Sequence, residues 1–84
     1  MIKLKTLPYW FELQLSGEKS FEIRQHDRDY RVGSMLLLEE WSESTGYTGR
    51  TLRVDVTAIY CSTYSRLISG IKMGWSILMT RQTV

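Results

Sequence analysis

The most highly charged stretch of the sequence lies between residues 19 and 31, where eight side chains able to do chemistry fall within thirteen positions. They are Lys19, Glu22, Arg24, His26, Asp27, Arg28, Asp29 and Arg31. Lysine and arginine bind phosphate or carbonyl oxygens, carboxylates accept hydrogen bonds, and an imidazole exchanges protons near neutral pH. The stretch predicts either a ligand-binding cleft or, as such composition more often indicates, a solvated strand edge followed by a loop.

Alternation groups two of these residues, and position along the chain adds a third. The apolar side chains of Phe21 and Ile23 alternate with Glu22 and Arg24, which is the period of a β-strand. We expect Phe21 to lie in the core, so that Glu22 and Arg24 occupy the opposite, polar face. Because Lys19 stands at the entry of this strand, Lys19, Glu22 and Arg24 are predicted to line one wall of a pocket.

The rest of the sequence supplies the elements that must position this wall. Apolar periodicity, turn residues and helix signals predict one helix and five strands in the order β-α-β-β-β-β. The predicted strands are residues 2–5, Ser20–Arg24, Met35–Trp41, Arg50–Tyr60 and Trp75–Arg81, and the predicted helix is Pro8–Ser16. This order favours an α+β fold in which a small five-stranded β-barrel or curled sheet carries one N-terminal helix packed on it.

The ends and faces of these elements carry further expectations. Pro8 suits the first turn of the helix, Thr6 is its expected N-cap, and Gly17 stands where a left-handed C-cap is usual. A wide apolar stripe on the helix should face the sheet. Residues 42–49 predict a hairpin loop, and residues 61–74 an irregular segment or one short helical turn. Packing roles are expected for Trp10, Phe11, Phe21 and Trp41.

Composition limits the classes of protein to which the chain can belong. With 84 residues, 43% of them hydrophobic, we expect one domain spanning residues 1–84 around a single core. The apolar run Met35–Leu38 is far too short to span a membrane, and the first residues lack a secretory pattern, so a cytoplasmic location is expected. One cysteine and one histidine predict no disulfide, metal site or cofactor.

Common catalytic motifs are missing from the sequence. There is no glycine-rich phosphate loop, no pair of histidines for a metal and no Gly-x-Ser-x-Gly elbow. His26 is a candidate general base, although a lone histidine in a polar loop is more often solvated. Arg28 and Arg31 are candidate phosphate contacts, and Tyr64 and Trp75 are candidate platforms on which a base stacks.

A longer pattern joins these motifs. It consists of Leu15-Ser16-Gly17-Glu18-Lys19-Ser20-Phe21-Glu22-Ile23-Arg24, then Asp27-Arg28-Asp29-Tyr30 and Val32-Gly33-Ser34. With the opening strand, the Pro-led helix and a hairpin loop containing Thr-Gly, it covers nearly the whole chain and weakens after Cys61. In this order the chain resembles the ASCH domains of the PUA-like superfamily, in particular a small ASCH-related family of unknown function that is frequent in phage and bacterial genomes. The resemblance implies a PUA-like β-barrel whose cleft binds RNA or modified nucleosides.

The resemblance also bears on catalysis. Some small ASCH proteins are amidohydrolases that remove an acyl group from an N-acylated cytidine with a lysine, a threonine and a later glutamate. Lys19 stands at the position of the lysine, but Glu22 replaces the threonine, and no acidic residue follows Asp55. A threonine hydroxyl acts as a nucleophile, whereas a carboxylate serves as a base or hydrogen-bond acceptor. Lys19 and Glu22 are therefore the catalytic candidates of such a hydrolase, and the threonine and the later glutamate of its catalytic set are missing.

Three functions stay open on these residues. In the favoured one, the chain binds RNA or a nucleotide, with Lys19, Arg24, Arg28 and Arg31 on phosphate and Glu22 on a base edge. The net charge of +2 permits such a local contact but not broad coating of DNA. In the second, the chain is a small amidohydrolase acting on an N-acylated cytidine nucleoside. In the third, it is a phage or prophage accessory protein that binds another protein through the edge of its barrel.

Overall fold

Five strands and one helix make up the part of the chain that the structure describes. This computed structural model describes residues 1–25, 28–61 and 75–83, with only the backbone of Cys61. The elements are β1 (Ile2–Thr6), α1 (Pro8–Ser16), β2 (Phe21–Gln25), β3 (Met35–Ser42), β4 (Gly46–Cys61) and β5 (Trp75–Gln82). The predicted order, one helix after the first strand and four strands after the helix, is confirmed. No helix in the described ranges is long and apolar enough to cross a membrane.

The strands form one sheet in the order β1-β3-β4-β5-β2. Adjacent strands in the sheet run antiparallel, except for β1 and β3, which run parallel. The sheet curls into a half-barrel, so that its two edge strands, β1 and β2, come close to each other. The predicted curled sheet with one packed helix is confirmed, whereas within the described residues no backbone ladder between β1 and β2 closes a full barrel.

The core is built from alternate residues of the strands together with one side of the helix. Its buried apolar members are Leu4, Phe11, Tyr30, Leu36, Leu38, Val54, Val56 and Leu78. In β3, Leu36 and Leu38 are buried but Met35 and Leu37 are only half-buried. One face of β3 therefore belongs to the core and the other is partly covered. Tyr30 is a core residue from a segment whose polar composition predicted none.

The ends of α1 follow from proline and glycine chemistry. Pro8 stands in the first turn, where its missing N–H leaves no helical donor unpaired. The N-cap is Leu7, in an extended conformation and without a side-chain cap, so the expected role of Thr6 is wrong. Thr6 is the last residue of β1, and its buried hydroxyl donates a hydrogen bond within its own strand. Gly17, with φ of 83°, confirms the left-handed C-cap.

The buried face of α1 is narrower than the sequence predicts. Its buried residues are Phe11 and Gln14, which are three positions apart. Trp10 and, in β2, Phe21 are exposed, so the packing roles expected for these two are wrong, and Trp41 is half-buried. A nine-residue helix that meets a curled sheet along one row of its surface leaves the flanking apolar residues outside.

The turn of the β3–β4 hairpin is shorter than predicted. Residues 43–45 connect the two strands, instead of the expected loop over residues 42–49. Gly49, with φ of 92°, lies in a bulge of β4 opposite Glu40, and the ladder resumes beyond it. Glycine adopts a positive φ without strain. Gly49 therefore lets β4 continue through a bulge, although the composition of residues 42–49 is typical of a loop.

Arg50 of β4 joins the hairpin to the helix. Its Nε and Nη2 atoms donate to the carboxylate of Glu40 at 3.0 and 2.9 Å, and Nη2 also donates to Glu12 of α1. Its guanidinium carbon lies 4.9 Å from the centre of the Phe11 ring. The hydrogen bonds from Arg50, and then that from Thr48, lower the pKa of the buried Glu40 carboxyl to about 2. This cluster fixes one side of the helix.

We expect Glu40 to make the folded state sensitive to acid. Since its pKa is depressed in the folded chain, its contribution to the free energy of unfolding is complete above about pH 5 and is lost as the pH falls through about 2. Glu40→Gln should lower the urea midpoint at pH 7 and reduce its further fall toward pH 2. The control Glu39→Gln, on a half-buried neighbour, should keep the acid dependence of the wild type. Identical acid dependence in wild type and Glu40→Gln would contradict this role.

Leu78 tests the position of the core. It is fully buried in β5, so Leu78→Ala should leave a cavity and lower the free energy of unfolding by about 2–5 kcal/mol. The same substitution at exposed Leu15 of the helix should change it by less than about 0.5 kcal/mol. Urea titration followed by circular dichroism measures both values, and equal effects would show that Leu78 is not a core residue.

Candidate functional site

The two edges of the half-barrel, β1 and β2, face each other across an open seam. Arg24 Nη2 donates to the backbone oxygen of Lys5 at 2.8 Å, and Arg28 Nη1 donates to that of Lys3 at 3.3 Å. Carbonyl groups two residues apart in a strand point to the same edge, and on an edge strand they need a partner from outside the ladder. Two arginine side chains, from Arg24 of β2 and from Arg28 of the segment that follows it, therefore bond to the edge of β1 where a closed barrel would use backbone hydrogen bonds.

Glu22 of β2 lies in this seam, with its side chain only 4% exposed. Its Oε1 atom accepts hydrogen bonds from Gln14 Nε2 at 2.9 Å and from Lys19 Nζ at 3.1 Å, and its Oε2 atom accepts one from Arg24 Nε at 3.0 Å. A carboxylate removed this far from water is tolerated only when it is paired and hydrogen-bonded. The structure thus brings Lys19, Glu22 and Arg24 together as predicted, and adds Gln14 to them.

The polar face of β2, which the sequence pattern assigns to solvent, points toward the core. Glu22 is paired across the ladder with the fully buried Leu78, so its side chain points inward. Phe21 and Ile23 point outward and are 37% and 51% exposed. Alternation determines which residues share a face but not which face is inside. The three donors around Glu22 make the polar face the inner one, which is why the expected burial of Phe21 is wrong.

Gln14 belongs to the site although its residue type alone gave no sign of it. Its side-chain nitrogen donates to the backbone oxygen of Phe21 at 2.7 Å as well as to Glu22, and its oxygen accepts from Thr80 Oγ1 at 3.4 Å. One amide therefore ties α1 to β2 and β5. The signal available in the sequence was spacing, because Gln14 lies three residues after Phe11 and shares the helix face that meets the sheet.

A cleft of about 470 Å³ opens at the seam between β1, β2 and α1, and we call it the seam cleft. It is lined by Lys5, Thr6, Leu7, Trp10, Lys19, Phe21, Glu22, Ile23 and Arg24. Lys19 Nζ lies 5.2 Å from the centre of the Trp10 ring and 5.3 Å from that of Phe21. A cationic group and two exposed aromatic side chains therefore border the same space.

A second groove, of about 750 Å³, adjoins the seam cleft, and we call it the outer groove. Its charged and aromatic lining residues are Lys3, Lys5, Arg24, Arg28, Tyr30, Glu39, Tyr47 and Trp75. Lys5, Ile23 and Arg24 line both spaces, so the cleft and the groove are continuous along the seam. Among the described residues no group of three or more histidine, cysteine or acidic side chains is arranged to hold a metal ion.

The other predicted ligand-binding residues fall in different places. Arg28 and Trp75 line the outer groove. Arg31 forms an exposed ion pair with an aspartate of its own loop, at 3.0 Å, and lines neither the cleft nor the groove. His26 and Tyr64 lie outside the described residues, as does the segment 62–74 in which a helical turn was expected. Within the described ranges, Arg31 is the predicted residue that the structure separates from the seam.

In the part of the chain that the structure describes, fold and site define a strand-rich half-barrel with one helix and a charged cleft at its open seam. The family described as a domain of unknown function, DUF3850, matches residues 1–79, and the chain belongs to this family. An uncharacterized 12.9 kDa protein in the GpA 3' region of Escherichia phage P2 is 38% identical over 50 residues, which cover 60% of this chain and 45% of the phage protein. The alignment thus spans less than half of that relative. The expected likeness to a small family of unknown function found in phage is confirmed.

Glu22→Gln tests whether the buried carboxylate holds the seam. The variant places an NH₂ group or an uncharged oxygen against Arg24 and leaves two cations without their counter-charge. We expect a loss of about 3 kcal/mol in the free energy of unfolding, the lower end of the range for breaking a buried ion pair, because Lys19 and Arg24 keep some contact with water. In the same urea titration exposed Glu18→Gln should change it by less than about 0.5 kcal/mol. If Glu22→Gln changed the free energy of unfolding as little as Glu18→Gln does, Glu22 would behave as a residue on a solvated strand face.

Proposed function

We propose that this chain is an RNA- or nucleotide-binding module and that the seam cleft is its ligand site. One observation carries the proposal. The cleft combines the cationic groups of Lys19 and Arg24 with the exposed rings of Trp10 and Phe21. A nucleotide joins an anionic phosphate to a flat base, and proteins bind these two parts with cationic and aromatic side chains respectively.

The size and the walls of the seam cleft suit a ligand of about one nucleotide. Small-molecule sites usually enclose about 300–1,000 Å³ and combine mainly apolar walls with a few polar groups that orient the ligand. Here the volume is about 470 Å³, and Leu7 and Ile23 supply exposed apolar surface beside the two rings. The polar groups are concentrated on one wall, at Lys19, Glu22 and Arg24.

In this proposal Glu22 positions the two cations before a ligand arrives. Lys19 and Arg24 are held 3.1 and 3.0 Å from its carboxylate oxygens. Side chains that are already ordered lose less conformational entropy on binding, so a pre-positioned pair of cations binds phosphate more tightly than a mobile pair. Among the described residues Oε2 has Arg24 as its one partner, with Nε and Nη2 both 3.0 Å away, so a base edge that contacts Glu22 has to share this oxygen with Arg24.

The proposed relation to ASCH and PUA-like domains points to the same function. A curled five-stranded sheet with a helix after its first strand supports that relation, as does the position of Lys19 and Phe21–Arg24 in the lining of the cleft. Amidohydrolysis of an N-acylated cytidine, which the same resemblance implies, is less well supported. Glu22 stands where those hydrolases have a threonine, and a carboxylate bound by Gln14, Lys19 and Arg24 supplies no hydroxyl nucleophile.

Titration of ¹⁵N-labelled protein with the four nucleoside 5′-monophosphates tests the proposal. We expect shifts of the Trp10 indole N–H and of the backbone amides of residues 19–25, weakening as salt is added. Trp10→Leu should raise the Kd by roughly 5- to 150-fold, since base stacking contributes about 1–3 kcal/mol. Tyr60→Leu is the matched control, because Tyr60 is exposed in β4 and lines neither the cleft nor the groove.

Two outcomes would overturn the proposal in different ways. If no resonance moves at millimolar nucleotide, the seam cleft is not a nucleotide site, and the binding of another protein through the barrel edge becomes the leading function. In a separate sample, N4-acetylcytidine is added to the protein. If it is hydrolysed to cytidine and acetate, and Lys19→Gln abolishes the hydrolysis while its ¹⁵N spectrum stays that of a folded protein, the protein is a hydrolase.

A further inference from the structure

The outer groove continues the seam cleft and has the same kinds of side chain. Lys5 and Arg24 stand at the junction, since both line the cleft and the groove. Beyond the junction the groove is lined by Lys3 and Arg28, and by the single carboxylate of Glu39. The positive character of the cleft therefore extends along the whole seam, on a chain whose net charge is only +2.

Two of these cations are available to a ligand. Lys3 and Lys5 form no ion pair with any residue that the structure describes, and both are exposed strand residues of β1. Lys5 lies directly across the ladder from Glu39 but forms no salt bridge with it, and its Nζ lies 4.6 Å from the centre of the Trp41 ring and 5.8 Å from that of Tyr47. A cation placed in this way attracts an anion without first breaking an ion pair with the protein.

The outer groove also has exposed aromatic side chains of its own. Tyr47 is 55% exposed and Trp75 is 37% exposed, and both line it. The seam therefore presents two aromatic sites, Trp10 with Phe21 in the cleft and Tyr47 with Trp75 in the groove. The cations Lys5 and Arg24 lie at the junction of the two spaces.

We propose that the cleft and the groove form one track for a single-stranded polynucleotide. One base stacks in the seam cleft, the next phosphate contacts Lys5 and Arg24, and the following base stacks on Tyr47 or Trp75. This track presupposes the nucleotide binding proposed above and adds that the ligand is a polymer. The strand is single because bases reach aromatic faces inside a concave seam only when they are unpaired and unstacked.

The length of the ligand is the variable that tests the track. Calorimetric titration compares uridine 5′-monophosphate with oligouridylates of two, three and four nucleotides, and with the corresponding deoxyuridylates. We expect the Kd to fall by about tenfold or more between the monomer and the trimer, because the second base binds as part of the same molecule. The gain with length in either series supports the track, and the ratio between the series identifies the sugar it prefers.

Variants of the outer groove separate its role from that of the cleft. Tyr47→Leu should remove most of the gain with length and leave the Kd for the monophosphate unchanged, and Tyr60→Leu should alter neither. Lys5→Gln should reduce the slope of log K against log salt for the trimer by about 0.7, the value for one cation on a single strand. Arg53→Gln, which removes an exposed charge that lines neither space, should keep the slope.

The possible failures are distinct. Binding of the monophosphate without any gain for longer oligomers would overturn the track and leave the seam cleft as a site for one nucleotide. An equal loss of monophosphate and trimer binding in Tyr47→Leu would also overturn it, because Tyr47 would then belong to the first site. Absence of binding by every ligand would overturn the proposed function and the track with it.

Discussion

The burial of the Glu22 carboxylate is the constraint on which most of this structure depends. A carboxylate almost without solvent needs donors from the protein, and here they come from three different parts of the chain. Gln14 comes from the helix, Lys19 from the strand entry and Arg24 from the strand itself. Satisfying one group therefore sets the position of the helix, the inner face of β2 and the approach of β2 to β1.

That approach explains why the sheet is open. Arg24 donates a hydrogen bond from Nε to Glu22 and another from Nη2 to a backbone carbonyl of β1. Arg28 donates to a second carbonyl of the same edge. Side chains longer than a backbone hydrogen bond keep the two edges apart while satisfying their polar groups. The space that remains is the seam, so the groups that hold the half-barrel together are the groups that border its cleft.

The orientation of the helix is decided from two sides. Arg50 holds Glu12 and stacks on Phe11, while Gln14 is bonded to β2 and its backbone oxygen accepts from Gln82 of β5 at 2.7 Å. These contacts leave Trp10 on the remaining side, where it borders the seam cleft. An exposed tryptophan on a nine-residue helix is thus placed by packing, not by any preference of its own.

Local chemistry in the sequence determined the elements of this protein, and tertiary contacts decided their faces. Proline and glycine set the ends of the helix, and alternation set the strands and grouped Glu22 with Arg24, because these signals act between neighbouring residues. Nothing local distinguishes the inside of an edge strand from its outside, so the inward turn of Glu22 and the exposure of Phe21 could not be predicted from period alone. The same holds for Gln14, whose partners lie in β2 and β5, and for Lys3 and Lys5, which border the site only because β1 meets β2 across the seam. The site depends on contacts between residues that are far apart in the sequence, and only the folded chain brings them together.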